Sequence, residues 1–244
     1  MHRGNRFGLV WILSLVAAFM LPNLLTAQSD EGPLHIHRSR SQWLIGLSIS
    51  FLHNYYHEAD ITGNSTRSIE LNSSSLGYGF GVSAELLPNV YTRWGIIPRF
   101  SYEHRPAKMS TTVDGIRYDY ETGYNLLNVE VLYKYEVGLI DGARVGVSVG
   151  PAFQYALLDS VDRSEFDNQE AFDFFAAAMT NITSTRLSAR GGIQVEFGVL
   201  DNHWMLVPGL YYDFPLTSIG AEEFNVWKVN SIILQIDFRR AIGL

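Results

Sequence analysis

The chain has 244 residues, 47% hydrophobic and 13% aromatic, with a formal net charge of −7 and no cysteine. A chain of this size and composition fits one folded domain behind a leader, and the lack of cysteine excludes both a disulfide-stapled module and an acylated lipobox. Mild acidity with three lysines (Lys108, Lys134, Lys228) excludes the basic face that nucleic-acid binding requires.

The N-terminus carries Arg3 and Arg6, then the apolar run Phe7–Leu21, then Leu24-Leu25-Thr26-Ala27-Gln28. A basic start, an apolar core and a small residue before a polar stretch predict a secretory signal peptide over residues 1–27. The apolar run also approaches the length of an uncleaved anchor helix. Residues 28–41 then form a periplasmic N-terminal tail, and residues 42–244 the folded domain. No later apolar run is long enough for a membrane-crossing helix.

Within that domain, apolar and polar residues alternate with period two, the pattern of a strand with two unlike faces. Eight such segments are predicted, near 42–54, 75–86, 92–104, 118–138, 143–156, 185–198, 203–214 and 228–240. One parity is apolar, as in Trp43, Ile45, Leu47, Ile49 and Phe51, or Val145, Val147, Val149, Pro151, Phe153 and Tyr155. The other holds small residues and charges, as in Gly77, Gly79, Gly81, Ser83 and Glu85. A polar, narrow interior behind an apolar exterior predicts an all-β fold, an eight-stranded antiparallel up-and-down transmembrane β-barrel. Closure follows because an open sheet edge has no partner in hydrocarbon.

The links alternate in length. Those near Leu87–Tyr91, Leu139–Gly142 and Val199–Asn202 are tight, with Asp141-Gly142 and Asp201-Asn202 as turn residues. Those at 55–74, 105–117, 157–184 and 215–227 are long and polar. Short periplasmic turns and long external loops place the chain in the outer membrane of a Gram-negative bacterium. Trp43, Trp94 and Trp204 fall at one rim, and Tyr102, Tyr155 and Tyr212 near the other, as aromatic girdles at two bilayer interfaces would. A motif, Pro-x-(Phe/Leu)-x-Tyr, recurs at Pro98–Tyr102, Pro151–Tyr155 and Pro208–Tyr212. Proline lacks a ladder donor, so three at matching positions predict a repeated bulge or bend.

Charges gather on the polar parity. Glu85, Glu136, Glu196 and Asp237 end the downward strands, and Arg93, Arg144 and His203 follow across the short turns. Antiparallel pairing would bring Glu85 to Arg93, Glu136 to Arg144 and Glu196 to His203. Arg99 and Arg190, with Glu103, Glu130, Lys134 and Arg186, would continue this lumen network upward. Such a network could gate the barrel or relay protons, or it could fill and seal a lumen only wide enough for its side chains.

Catalytic chemistry finds little support. A hydrolase would need a histidine joined to a serine nucleophile and an acid, and the seven histidines lie in the polar tail, at outer loops or alone. No metal-ligand set has convincing spacing, so neither metal nor cofactor is expected. The loop at 157–184 combines Asp159, Asp162, Glu165, Asp167, Glu170 and Asp173 with Phe172, Phe174, Phe175 and Met179. It could form a short helix capped by Ser164; its acids are not spaced as an EF-hand.

The context Thr26-Ala27-Gln28, the Gly-x-Gly-x-Gly at 77–81, the Pro-Gly-Leu-Tyr-Tyr at 208–212 and the strand count resemble the PorT-like outer-membrane barrels common in Bacteroidota. The chain is similar, more loosely, to OmpA/OmpX-type eight-stranded barrels. It ends in Ile242-Gly243-Leu244 where many such barrels end in phenylalanine. The resemblance implies no catalytic residues. The functional expectation is a non-conducting structural or interaction barrel that contacts lipid and lipopolysaccharide, with protein partners reached through loops 55–74 and 157–184. A subunit of a secretion or transport machine is the alternative. A lipid A-modifying barrel enzyme stands below these, as does a soluble lipocalin-like barrel, whose exterior would carry many more lysines and glutamates.

Overall fold

A computed structural model describes residues 42–59, 70–71, 74–87, 93–140, 143–158, 162–163, 166–180, 184–199, 204–218 and 226–243. The segments expected to be a signal peptide (1–27) and an N-terminal tail (28–41), and most of the expected loop at 55–74, lie outside the described residues. Eight long strands run β1 (Gln42–Ala59), β3 (Ser74–Leu87), β4 (Trp94–Val113), β5 (Ile116–Ile140), β6 (Ala143–Leu158), β7 (Thr185–Val199), β8 (Trp204–Pro215) and β9 (Val226–Gly243). A two-residue strand, β2 (Glu70–Leu71), pairs with Met109 and Ser110 of β4. One helix, α1 (Gln169–Thr180), follows β6.

Every long strand pairs antiparallel with its neighbours, and β1 pairs along its whole length with β9, which closes the ring. Closure leaves no unpaired edge within the barrel, as a hydrocarbon environment demands. No described helix is long and apolar enough to cross a membrane; the crossing elements are strands. The outward parity is apolar and open, with Leu47 67%, Ile49 58% and Phe80 59% exposed.

Two expectations need correction. Residues 105–117 are not a loop: β4 and β5 continue as a paired hairpin to Val113 opposite Ile116. Asp114 and Gly115 turn it, both with positive φ (52° and 79°), the Asp-Gly pair of a two-residue hairpin turn. Crossing a bilayer takes about 10 strand residues, so this hairpin stands well clear of the membrane. The prolines, in turn, produce no bulge. Pairing lapses for two positions between β4 and β3 at Pro98, between β6 and β5 at Pro151, and between β8 and β7 at Pro208, then resumes in the same register. Each proline is paired only to the following strand, opposite Val131, Ala189 and Ile236 respectively. The missing N–H thus faces the same way three times. The one register shift in the barrel's described ladders lies elsewhere, on β5 between Glu136 and Gly138.

Candidate functional site

Alternation turns one residue in two toward the lumen, and the inward positions carry the charges. Glu85, Glu103, Glu130, Glu196, Asp213 and Asp237 are buried there, with Arg99, Arg105, Lys134, Arg186, Arg190 and Arg239. Among the described residues these are six acids against six bases. Their contacts form one unbroken column. At the end nearest α1, Asp213 accepts from Arg105 (2.9 Å) and Arg186 (3.1 Å), with Arg190 at 3.7 Å. Arg190 reaches Glu103 (3.0 Å) and Glu130 (2.6 Å), and Arg99 joins Glu130 (3.3 Å) to Asp237 (3.4 Å). Arg239 links Asp237 to Glu85 (2.6 Å), and Glu85 meets Lys134 (2.6 Å). Lys134 also donates to Glu196 and lies 3.9 Å from Glu136, which takes Arg144 at 3.3 Å.

The chemistry of this column is limited. Guanidinium groups do not release protons in proteins, and arginines separate most of its carboxylates. Burial with mutual hydrogen bonds suits these side chains to holding one another in place. Gly192 and Gly209 make room for the ring of Tyr211, since a Cβ at either position would come within 2.6 Å of it. Tyr211 donates to Gln194 (2.9 Å) and lies beneath the Arg99 guanidinium.

The sequence-predicted residues are placed unevenly. Glu136 and Arg144 meet, half-buried at the rim of short turns. Arg93 does not meet Glu85: it is exposed, ahead of the first residue of β4. The β3–β4 register pairs Leu86 with Ile96, which sets Arg93 several residues below Glu85. Glu85 takes Lys134 and Arg239 instead. His203 lies outside the described residues, and Glu196 sits opposite Arg144 in the β6–β7 register. Three members, Arg105, Asp213 and Arg239, lie outside the acid–turn–base pattern that the sequence marks. Arg105 lies in the expected loop at 105–117, although alternation running through it to Val113 is a usable signal.

The lumen is not polar throughout, contrary to expectation. Leu44, Leu87, Met205 and Val207 close the rim that carries the chain ends. Leu52, Ile97, Leu132, Tyr211 and Ile233 form a second inward apolar cluster. At the opposite rim Tyr56, Met109, Tyr120, Tyr124 and Leu126 point inward and meet Phe166, Ala171 and Phe175 from the α1 segment. Tyr120 packs on Phe166 and on Phe175, each 5.6 Å between ring centres. The helix cap is Asn168 rather than Ser164, which lies outside the described residues. Its Oδ1 accepts from the backbone N–H of Glu170 (2.8 Å) and Ala171 (3.2 Å), satisfying donors the first helical turn leaves free.

On the outer wall Trp204 stacks on Phe238 (4.7 Å) beneath Arg240, and Trp94 on Tyr133 (5.9 Å), near the rim of short turns. Toward the other rim Phe80 meets Tyr102 and Tyr78 meets His104, each at 5.1 Å. Tyr102 and the His104 Nδ1 both approach the Asn125 Oδ1, at 2.8 and 2.7 Å. That oxygen only accepts, so the Nδ1 carries the proton. On the projecting hairpin the hydrogen bond from Arg117 to Asp119, with Lys108 alongside, holds the Asp119 carboxyl below its usual range. Among the described residues no His, Asp and Glu side chains converge as a metal would need.

A family model described as outer membrane protein beta-barrel domain matches residues 26–220. The chain belongs to this outer-membrane β-barrel family. The family's proteins and the closed eight-strand ring place the chain in the Gram-negative outer membrane. Among solved structures, the outer membrane protein OprG from Pseudomonas aeruginosa is 11% identical over 85% of this chain and 98% of its own, with a TM-score of 0.50. AlkL, determined by solid-state NMR in lipid bilayers, is 12% identical over 89% of this chain and 97% of its own (TM-score 0.44). Ail of Yersinia pestis, in complex with a heparin analogue, is 12% identical over 81% and 99% (TM-score 0.39). At these identities the likeness is one of fold. No curated protein matches this chain in sequence.

Proposed function

We propose that this family member is a non-conducting, non-enzymatic barrel that anchors extracellular elements in the outer membrane, where they contact lipopolysaccharide and proteins. The observation that carries this reading is the column of buried ion pairs, closed by apolar residues at both rims. An eight-stranded barrel is wide enough only for its side chains, and here those side chains are tied to one another from rim to rim. The elements left to act are the β4–β5 hairpin, with Lys108, Arg117, Asp119 and Glu121 on its outer face, and the α1 segment. Trp43, Trp94 and Trp204 would mark the inner bilayer boundary, and Tyr102, Tyr155 and Tyr212 the outer one. From Trp43 to His53, β1 spans about ten residues, the length a tilted strand needs to cross.

The test is conductance in planar bilayers with purified protein. The expected trace shows no stable porin-like openings. Reproducible nanosiemens steps from a monomer would overturn the reading and favour the transport alternative.

A further inference from the structure

The outer wall is apolar with one exception. From the level of the three tryptophans to that of Tyr102, Tyr155 and Tyr212, Arg240 is the one charged side chain among the described outward positions. Its register partners are Ile45 on β1 and Trp204 on β8, so it sits just inside the rim of short turns. An arginine on the lipid face is costly at mid-bilayer and nearly free at the interface. Arg240 stands at the interface end. The outward cations of the projecting hairpin, Lys108 and Arg117, both pair with Asp119. Arg240 meets no carboxylate among the described residues, and its guanidinium N–H groups donate to none of them. Its contact is aromatic: the guanidinium carbon lies 5.4 Å from the centre of the Trp204 ring. Trp204 is held in turn by stacking on Phe238 at 4.7 Å. A cation–π contact places the charge but uses none of its N–H donors.

A phosphodiester supplies what this guanidinium lacks, a negative charge and two oxygens that match its paired N–H groups. With the short turns toward the periplasm, the leaflet at this level of an outer membrane is the phospholipid leaflet. We propose that Arg240 and Trp204 form a site for one anionic phospholipid of the periplasmic leaflet, held by its phosphate. Its acyl chains run toward the bilayer centre over Ile45, Leu47 and Phe238, which face lipid at 49%, 67% and 38% exposure. Leu47 stands opposite Phe238 in the β1–β9 register, so headgroup site and chain track share the seam that closes the ring. An anionic headgroup is favoured because the cation has no counterion of its own. The leaflet assignment rests on the orientation proposed above, and the site is independent of the absence of conductance.

The test is native mass spectrometry of the full barrel released from detergent micelles. Dimyristoylphosphatidylglycerol is the probe, and dimyristoylglycerol, which lacks the phosphate, is its counterpart. The barrel retains one phosphatidylglycerol saturably, and the diacylglycerol roughly tenfold more weakly. Arg240→Gln weakens phosphatidylglycerol by about the same factor and leaves the diacylglycerol unchanged; Arg240→Lys, which keeps the charge but loses the fork, falls between. Trp204→Leu, which removes the ring under the guanidinium, weakens it several-fold. Lys228→Gln, an exposed cation near the opposite rim, changes nothing. Equal retention of the two lipids would overturn the proposal, as would retention indifferent to Arg240 or equally sensitive to Lys228. So would displacement by millimolar inorganic phosphate, the sign of a plain anion site, or an Arg240-dependent preference for lipid A over phosphatidylglycerol. Arg240 has no acid partner to strand. Should Arg240→Gln still fail to fold, the ratio of the two lipids on the natural protein and on Arg240→Lys decides. Retention in micelles does not depend on orientation, so the site and the orientation can fail separately.

Discussion

At the scale of single residues, the lumen charges differ in how much each should matter. Glu85 is fully buried and holds two cations, Lys134 and Arg239. Glu85→Gln leaves both undercompensated and should cost about 3–5 kcal/mol. Glu136 and Arg144 retain side-chain exposures of 16% and 12%, so water compensates part of the loss. Glu136→Gln or Arg144→Gln should each cost about 1–2 kcal/mol, between an exposed and a buried pair. The double variant should cost less than the sum, because neither charge is then stranded. Reversible unfolding in detergent or lipid measures all four, and strict additivity of the Glu136 and Arg144 changes would mean that they do not interact. The inward parity of these residues was readable from period-two alternation, because a polar side chain inside and an apolar one outside is what lipid imposes. Partner identity was not readable. Glu85 finds Arg239 across 154 residues of chain, and local spacing carries no record of a contact made by closing the ring.

At the scale of elements, the α1 segment joins a helix cap to an aromatic contact. Asn168→Ala removes the acceptor for two N–H groups and should cost about 1 kcal/mol. Because α1 lies over the rim and outside the ladders, that loss should remain local. Hydrogen exchange should show amide protection in 169–180 falling roughly fivefold, the equivalent of 1 kcal/mol, with global unfolding unchanged. A matching drop in global stability would mean that α1 is integral to the barrel. The helix was partly readable, through its phenylalanines and acids, but its cap was misplaced because Ser164 and Asn168 are both competent capping residues. The β4–β5 extension was masked by its polarity. Its outer face carries Lys108, Arg117, Asp119 and Glu121, and only its inner face, with Ala107, Met109, Tyr120 and Tyr124, preserves the strand pattern. Asp114-Gly115 was the decisive signal. In contrast, the eight strands themselves were legible because each presents a long apolar parity to one solvent, lipid.

At the scale of the whole molecule, column and ring are made by the same strands. Arg99 and Glu85, from the first half of the chain, are served by Asp237 and Arg239 of β9. Shortening the chain before β9 would open the ring and leave both residues without those partners. A chain ending at residue 225 should therefore give no membrane-resistant folded form. The intact barrel should unfold in one transition, seen identically by far-UV circular dichroism and tryptophan fluorescence. Two separated transitions would show that part of the ring is stable without the rest. The interdependence also bears on biogenesis. A single hairpin laid into lipid on its own would carry uncompensated arginines or glutamates into hydrocarbon, whereas the finished ring carries a column whose charges cancel. Strands added one at a time to the bilayer would meet a barrier at each step. The inexpensive route keeps the lumen wet until β9 reaches β1, expelling water only in the closing step. The ion pairs would thereby tie commitment to the membrane to the pairing of β9 with β1, the contact that completes the column.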